Sequence, residues 1–222
     1  MIALASVGPL WRRRRPTRAR LTLAASAATL LAIVAYRTFA AAPGDVIHEA
    51  VSQGRATPAP EFEVEVLTAG DLGAAPRGWW RVARDGRVSL GELRGSPIVV
   101  SFWTGNCTPC RQEAPRLERA AGEAGHGVVL LGVSTAQAAR QARESVQASG
   151  TSFPQLHDGS GDTARRWGVD GVPETFFLSR DGVIVAHVVG AATAAELRTG
   201  VEAAIAGRPA GLRTGGRREA IE

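Results

Sequence analysis

Val99-Val100-Ser101-Phe102-Trp103-Thr104-Gly105-Asn106-Cys107-Thr108-Pro109-Cys110 is an apolar, strand-like run that ends in a short turn and opens into a helix bearing Cys-x-x-Cys. These are the only 2 cysteines in 222 residues. A thiol at the first turn of a helix faces unpaired backbone N–H groups and the positive end of the helix dipole, and both favour thiolate over thiol. Cys107 is therefore the expected nucleophile. Cys110, three residues on, projects from the same face and can close a disulfide with little backbone movement. Pro109 is tolerated between them because first-turn N–H groups have no intrahelical partner to lose.

Two blander readings of the pair compete with a redox dithiol. A purely structural disulfide closing so small a loop removes little entropy from the unfolded chain. A zinc site needs a second pair of ligands, and the 4 histidines, His48, His126, His157 and His187, are scattered singly. The strand-to-helix context favours the dithiol.

The formal net charge is +5, which on its face suggests a nucleic-acid partner. Its position argues otherwise. Arg12, Arg13, Arg14, Arg15, Arg18 and Arg20 crowd the first 20 residues with no acid among them, and the remainder carries 20 arginines against 21 acidic residues. The basicity thus belongs to a terminal segment and no nucleic-acid surface is implied. Leu21 to Tyr36 follows without a charge, then Arg37 and Ala40-Ala41-Ala42-Pro43. A basic flank before an apolar segment places the start of the chain in the cytoplasm and everything after it outside. The segment is short for a membrane span yet longer than a usual signal core, so it reads as an uncleaved anchor, with a cleaved signal as the alternative. Outside the cytoplasm thiols are oxidised unless kept reduced, so a lone vicinal pair there reads as a working couple.

With 45% hydrophobic residues, the rest has material for one domain of ordinary size. Pro43 to Pro60 mixes Gly, Pro, Ser, Gln and charged residues and reads as a tether. Glu61-Phe62-Glu63-Val64-Glu65-Val66 alternates polar and apolar residues, an edge-strand pattern. Trp79-Trp80-Arg81-Val82, Asp85-Gly86 and Val88-Ser89-Leu90 read as a hairpin, its Trp pair either capping a sheet edge or forming a partner-binding surface. Ile98 to Trp103 is apolar except for Ser101, as a strand covered on both faces requires. A helix from about Cys107 to Gly122 carries an apolar stripe, and Pro115 predicts a kink. Val128 to Ser134 is a second buried strand and Ala136 to Ala148 a second helix, so the two strands pair in parallel. After a short helix near Thr163 to Trp167, Val172-Pro173-Glu174-Thr175-Phe176 starts a strand at a proline, a position where the X-Pro bond is often cis. Asp181-Gly182 turns into Val183 to Val189, and Thr193 to Ala206 is a closing helix.

Cys107-Thr108-Pro109-Cys110 after a strand, Glu113 and Pro115 in the helix, Val172-Pro173-Glu174-Thr175-Phe176 and the Asp181-Gly182 turn together resemble the thioredoxin fold. More narrowly they resemble the membrane-anchored TlpA/ResA/DsbE-like thiol-disulfide oxidoreductases. The resemblance implies an α/β fold with a central mixed sheet flanked by helices. It implies Cys107 as the attacking thiol, Cys110 as the resolving thiol, Glu113 as an acid tuning the pair and Pro173 as a cis-proline beside the sulfurs. It also implies an extracytoplasmic enzyme acting on protein disulfides or dithiols, apocytochrome c among them, recharged by a membrane electron donor and needing no cofactor or metal. Two residues depart from the pattern. Asn106 replaces an aromatic residue and could cap the helix with its side chain. Ser101 stands where thioredoxins bury an acid, which leaves proton transfer to Glu113 or water.

The expected organisation is a basic cytoplasmic segment 1–20, an anchor or signal 21–42, a linker 43–57, a thioredoxin-like domain 58–206 and a disordered tail 207–222. Two other functions stay open at this point. Thr104-x-x-Cys107 echoes the peroxiredoxin Thr-x-x-Cys, although Val100 stands where a proline belongs. A non-enzymatic metal-handling module is the third reading, for which the histidine spacing offers nothing.

Overall fold

A computed structural model describes residues 27–32, 43–70, 84–124, 127–210 and 219–221. The chain divides into two compact units, Met1–Ala41 and Ala42–Glu222. In the first, residues 27–32 are helical. The second holds the helices α1 (Pro43–Ser52), α2 (Thr108–Ala124), α3 (Ala139–Ser149), α4 (Asp162–Trp167) and α5 (Ala194–Ala206). Its strands are β1 (Thr57–Pro58), β2 (Glu63–Thr68), β3 (Arg87–Ser89), β4 (Ile98–Trp103), β5 (Val129–Thr135), β6 (Gln155–Asp158), β7 (Gly171–Val172), β8 (Glu174–Leu178), β9 (Val183–Val189) and β10 (Glu219–Ala220).

The apolar run Ile98–Trp103 is the centre of the main sheet, whose strands lie in the order β1-β9-β8-β4-β5-β6-β2-β3. β4 pairs in parallel with β5, Ser101 opposite Gly132, and antiparallel with β8, Ser101 opposite Thr175. β5 and β6 continue the parallel part, and β8 and β9 are antiparallel. The result is a mixed sheet with helical crossovers between its parallel strands, as buried, near-continuous apolar strands require. β7 and β10 form a separate antiparallel pair.

Strand alternation sorts the core into two faces. Val100, Phe102, Phe176 and Leu178 point to one side, with Ile47 and Val51 of α1 and Trp167 of α4 packed among them. Trp167 is fully buried, its ring 5.0 Å from Phe176 and 5.5 Å from Phe102 in edge and tilted contacts. Val99, Phe177, Ala186 and Val188 point to the other side against Leu117 of α2 and Leu197 and Ala204 of α5. α5 opens with a capping box in which the Thr193 hydroxyl accepts from the Glu196 N–H while the Glu196 carboxylate accepts from the Thr193 N–H.

Several elements differ from the sequence expectation. Within 43–57, α1 occupies the stretch expected to be linker, because Ile47, Ala50 and Val51 share one helix face and are buried. The strand placed at 61–66 runs two residues later, at Glu63–Thr68, and it lies inside the sheet between β6 and β3. Within 207–222, the Ala210 N–H donates to Val185 O and Glu219 and Ala220 pair with β7, since backbone groups on a free strand edge take any partner in reach. α2 starts at Thr108 and α3 at Ala139, one and three residues later than the pattern suggested. The Trp79-Trp80 pair and most of the apolar segment 21–36 lie outside the described residues. Among the described residues no helix is long and apolar enough to cross a membrane.

Candidate active site

The turn Thr104–Asn106 carries the chain from β4 into α2 and is pinned to the loop before α3, the Gly105 N–H donating to Gln137 Oε1 at 2.9 Å. Gly105 fits because an added Cβ would collide with the Ser145 hydroxyl. Cys107 and Cys110 form a disulfide with their Cα atoms 5.2 Å apart. Cys107 is itself the N-cap of α2. Its carbonyl accepts the Arg111 N–H at 3.2 Å, and its sulfur takes the position of a capping oxygen, 3.0 Å from the Cys110 N–H. An amide aimed at that sulfur favours the thiolate over the thiol. Asn106 does not cap the helix. Its side-chain oxygen accepts from Gln141 Nε2 of α3 at 3.4 Å.

Cys107 is fully buried, and Cys110 is 7% exposed. A helix-start position thus does not expose the first sulfur in the disulfide form. Cys107 Sγ lies 3.6 Å from the Val172 carbonyl oxygen. The Val172–Pro173 peptide is cis. β10 runs along β7 with Glu219 opposite Val172 and Ala220 opposite Gly171, and a Glu219 carboxylate oxygen accepts the Thr108 N–H of α2 at 3.3 Å.

Glu113 lies in the second turn of α2 and is buried, 1% exposed. One carboxylate oxygen accepts the Ala192 N–H at 2.8 Å and lies 3.5 Å from the Thr175 hydroxyl, which reaches Ser101 at 3.2 Å. Burial pushes the Glu113 carboxyl up from 4.5 to about 7, against the opposing pull of the Ala192 amide, Arg116, Thr175 and Ser101. Arg116 does not touch the carboxylate; its guanidinium donates to Ala192 O at 2.5 Å and so fixes the loop that supplies the amide.

Glu174 goes to the opposite face of the sheet, where its carboxylate meets His187 Nε2 at 2.9 Å with both residues buried. The His187 ring stacks on Phe176 at 4.0 Å and meets His48 of α1 edge-on at 5.8 Å.

Beside the dithiol is a cavity of about 390 Å³, whose lining includes Ser101, Cys110, Glu113, Leu117 and Phe153. Gln155 closes one wall, accepting the Trp103 indole N–H at 2.8 Å. Its side chain lies across Gly132, where a Cβ would overlap it. The four sequence-derived residues thus fall into one neighbourhood: the Cys107–Cys110 disulfide, Glu113 on the same cavity as Cys110, and Pro173 next to the carbonyl that meets Cys107. Thr175, Gln155, Ala192 and Glu219 escaped sequence reasoning. Only Thr175 carried a signal, since alternation from Glu174 places it on Ser101's side of the sheet.

A sequence model of the AhpC/TSA family matches residues 56–187, more than half the chain, and the chain belongs to that family. It is 30% identical over 125 residues to the thiol:disulfide interchange protein HelX of Rhodobacter capsulatus, covering 56% of this chain and 64% of that one. Over 99 residues it is 34% identical to the thiol:disulfide interchange protein DsbE of Allochromatium vinosum, covering 44% and 54%. The chain thus spans roughly half to two thirds of the length of these curated relatives. Among solved structures, a Chlorobium tepidum protein assigned as the thiol:disulfide interchange protein DsbE superposes with a TM-score of 0.55 at 25% identity, over 67% of this chain and 95% of that one. The resemblance drawn from Cys-x-x-Cys and Val-Pro-Glu-Thr is borne out, and the fold is thioredoxin-like.

Proposed function

We propose that this AhpC/TSA-family chain is an extracytoplasmic thiol-disulfide oxidoreductase whose Cys107/Cys110 dithiol reduces or exchanges disulfides in other proteins. The observation that carries the reading is the Cys110 N–H directed at Cys107 Sγ from the N-terminus of α2. A thiolate held there is both the better nucleophile at neutral pH and the better leaving group.

In the reduced enzyme the Cys107 thiolate attacks one sulfur of a substrate disulfide, forming a mixed disulfide and expelling the other substrate sulfur as a thiolate. Cys110 then gives up its proton and attacks Cys107 Sγ. The enzyme disulfide closes, the second substrate sulfur leaves, and two electrons have passed to the substrate. Glu113, with a pKa near neutrality and on the cavity that Cys110 lines, accepts the Cys110 proton. Pro173 presents no N–H beside the sulfurs, and the β7 edge before it accepts an extended substrate segment. Glu113 and Pro173 are thereby given roles in proton transfer and substrate placement.

The proposed organisation keeps the basic segment 1–20 in the cytoplasm and uses 21–42 as anchor or signal. The thioredoxin-like domain expected over 58–206 takes in α1 as well. Electrons come from a membrane thiol donor, and apocytochrome c is the proposed substrate. Insulin reduction measured beside hydrogen peroxide consumption tests the reading. Insulin should be reduced by the wild type and by neither Cys107→Ala nor Cys110→Ala. Peroxide consumption without insulin reduction would replace the proposal with a thiol peroxidase.

A further inference from the structure

The attack that opens the Cys107–Cys110 disulfide must come along the sulfur–sulfur axis onto an accessible sulfur, yet Cys107 has no exposed surface. The β7 edge at Gly171–Val172, where an incoming strand would pair, is already taken by Glu219–Ala220. The occupant reaches three features of the site at once. Its backbone pairs with the residue whose carbonyl lies 3.6 Å from Cys107 Sγ. Its Glu219 carboxylate accepts the N–H of Thr108, the first residue of α2. Its Ile221 packs against the apolar cluster that contains both cysteines. Backbone pairing, a carboxylate on a first-turn amide and an apolar anchor are the three contacts by which an extended peptide would be held there.

We propose that the segment Glu219–Ile221 is a built-in strap that occupies the peptide-docking edge at β7 and shields Cys107, so that reduction of the disulfide waits for the strap to leave. The proposal rests on the oxidoreductase reading for its purpose, but not for its geometry. A two-residue pairing makes the strap easy to displace, and its tether keeps it close. Residues 211–218 join it to Ala210, whose N–H is bonded to β9. With an effective concentration of about 1 mM for a short tether, a strap whose free peptide binds with a Kd of about 0.1 mM is closed about ten times as often as open. A competing strand therefore displaces it, preferably one with an acidic residue followed two positions later by an aliphatic one.

Two kinds of variant free the edge: a chain stopped after Ala210, and full-length Glu219→Arg combined with Ala220→Pro, which reverses the charge facing Thr108 and puts a proline in β10. Either variant should be reduced by dithiothreitol about tenfold faster than the unaltered chain. A labelled peptide of sequence Arg-Glu-Ala-Ile-Glu should bind either variant about tenfold more tightly than it binds the oxidised unaltered chain, and in excess should slow reduction of the variants again. In the unaltered oxidised chain the backbone amides of residues 219–221 should exchange with solvent more slowly than in a free peptide of the same sequence, a readout that needs no mutation. Equal reduction rates in variant and unaltered chain, equal peptide binding by both, or unprotected amides at 219–221 would each overturn the strap. Faster reduction and peptide binding in variants that leave insulin untouched would uphold the strap while removing the oxidoreductase reading.

Discussion

The two faces of the sheet beside β4 each bury one carboxylate, and they meet its cost in different ways. Glu174, on the face of Phe102, Phe176 and Trp167, is hydrogen-bonded to the buried His187 ring at 2.9 Å. Glu113, on the other face, is held by the Ala192 amide and the Thr175 and Ser101 hydroxyls, while the Arg116 guanidinium donates to Ala192 O. Burial then raises the Glu113 carboxyl to about 7. At Glu113 the cost of burial outweighs the pull of its hydrogen-bond donors and of Arg116. Glu113 shares a cavity with Cys110. On the proposed reading, the Glu113 face serves proton movement and the Glu174 face stability.

The sharpest way to break this contrast is Glu174→Ala. It strands His187, whose Nδ1 already has no hydrogen-bond partner, with both ring nitrogens unpaired in the core. Urea unfolding of the oxidised protein should show a loss of about 4 kcal/mol, with the exchange rate of the remaining folded protein near wild type. Equal losses of stability and of exchange per folded molecule would erase the distinction between the faces.

Glu113→Gln tests the other face. Between pH 4.5 and about 7 the folded chain still holds the Glu113 proton that the unfolded chain has released. The stability contributed by this group is therefore fully present below pH 4.5 and is lost as pH rises to about 7, by roughly 3 kcal/mol. The Gln variant should flatten that slope and leave the protein more stable than wild type at pH 8. It should also slow release of the mixed disulfide, because Cys110 loses the proton acceptor proposed for it. A retained slope would assign the titration to another group.

A smaller effect is expected from Gly132→Ala, since its Cβ would displace Gln155 from the cavity wall and leave the Trp103 indole N–H without its acceptor. A cost of about 1–2 kcal/mol and faster access of small alkylating reagents to reduced Cys110 are expected. Unchanged alkylation would show that the wall does not govern entry.

These contrasts were unevenly legible in the sequence. The apolar run Ile98–Trp103, the Cys-x-x-Cys at its end and the Val-Pro-Glu-Thr strand announced the fold and the dithiol, because strand period, turn chemistry and cysteine spacing are local. α1 was missed because Gly44, Ser52 and Gln53 made its composition look like a tether, although Ile47, Ala50 and Val51 carried a helical stripe. Glu113 could be named but not placed, since its burial depends on a loop 79 residues away that brings the Ala192 N–H to it. The Glu174–His187 pair was unreadable until β8 and β9 were in register, with Phe176 opposite His187. The strand at 219–220 has no propensity signal, as its partner is a two-residue edge.

The central claim, that Cys107–Cys110 is a working couple and not a structural staple, is tested most directly by equilibrating the protein against a series of glutathione buffers and reading the fraction reduced. The account expects a potential of about −200 to −270 mV, within reach of protein substrates and donors. A value below about −300 mV, where structural disulfides lie, would contradict it.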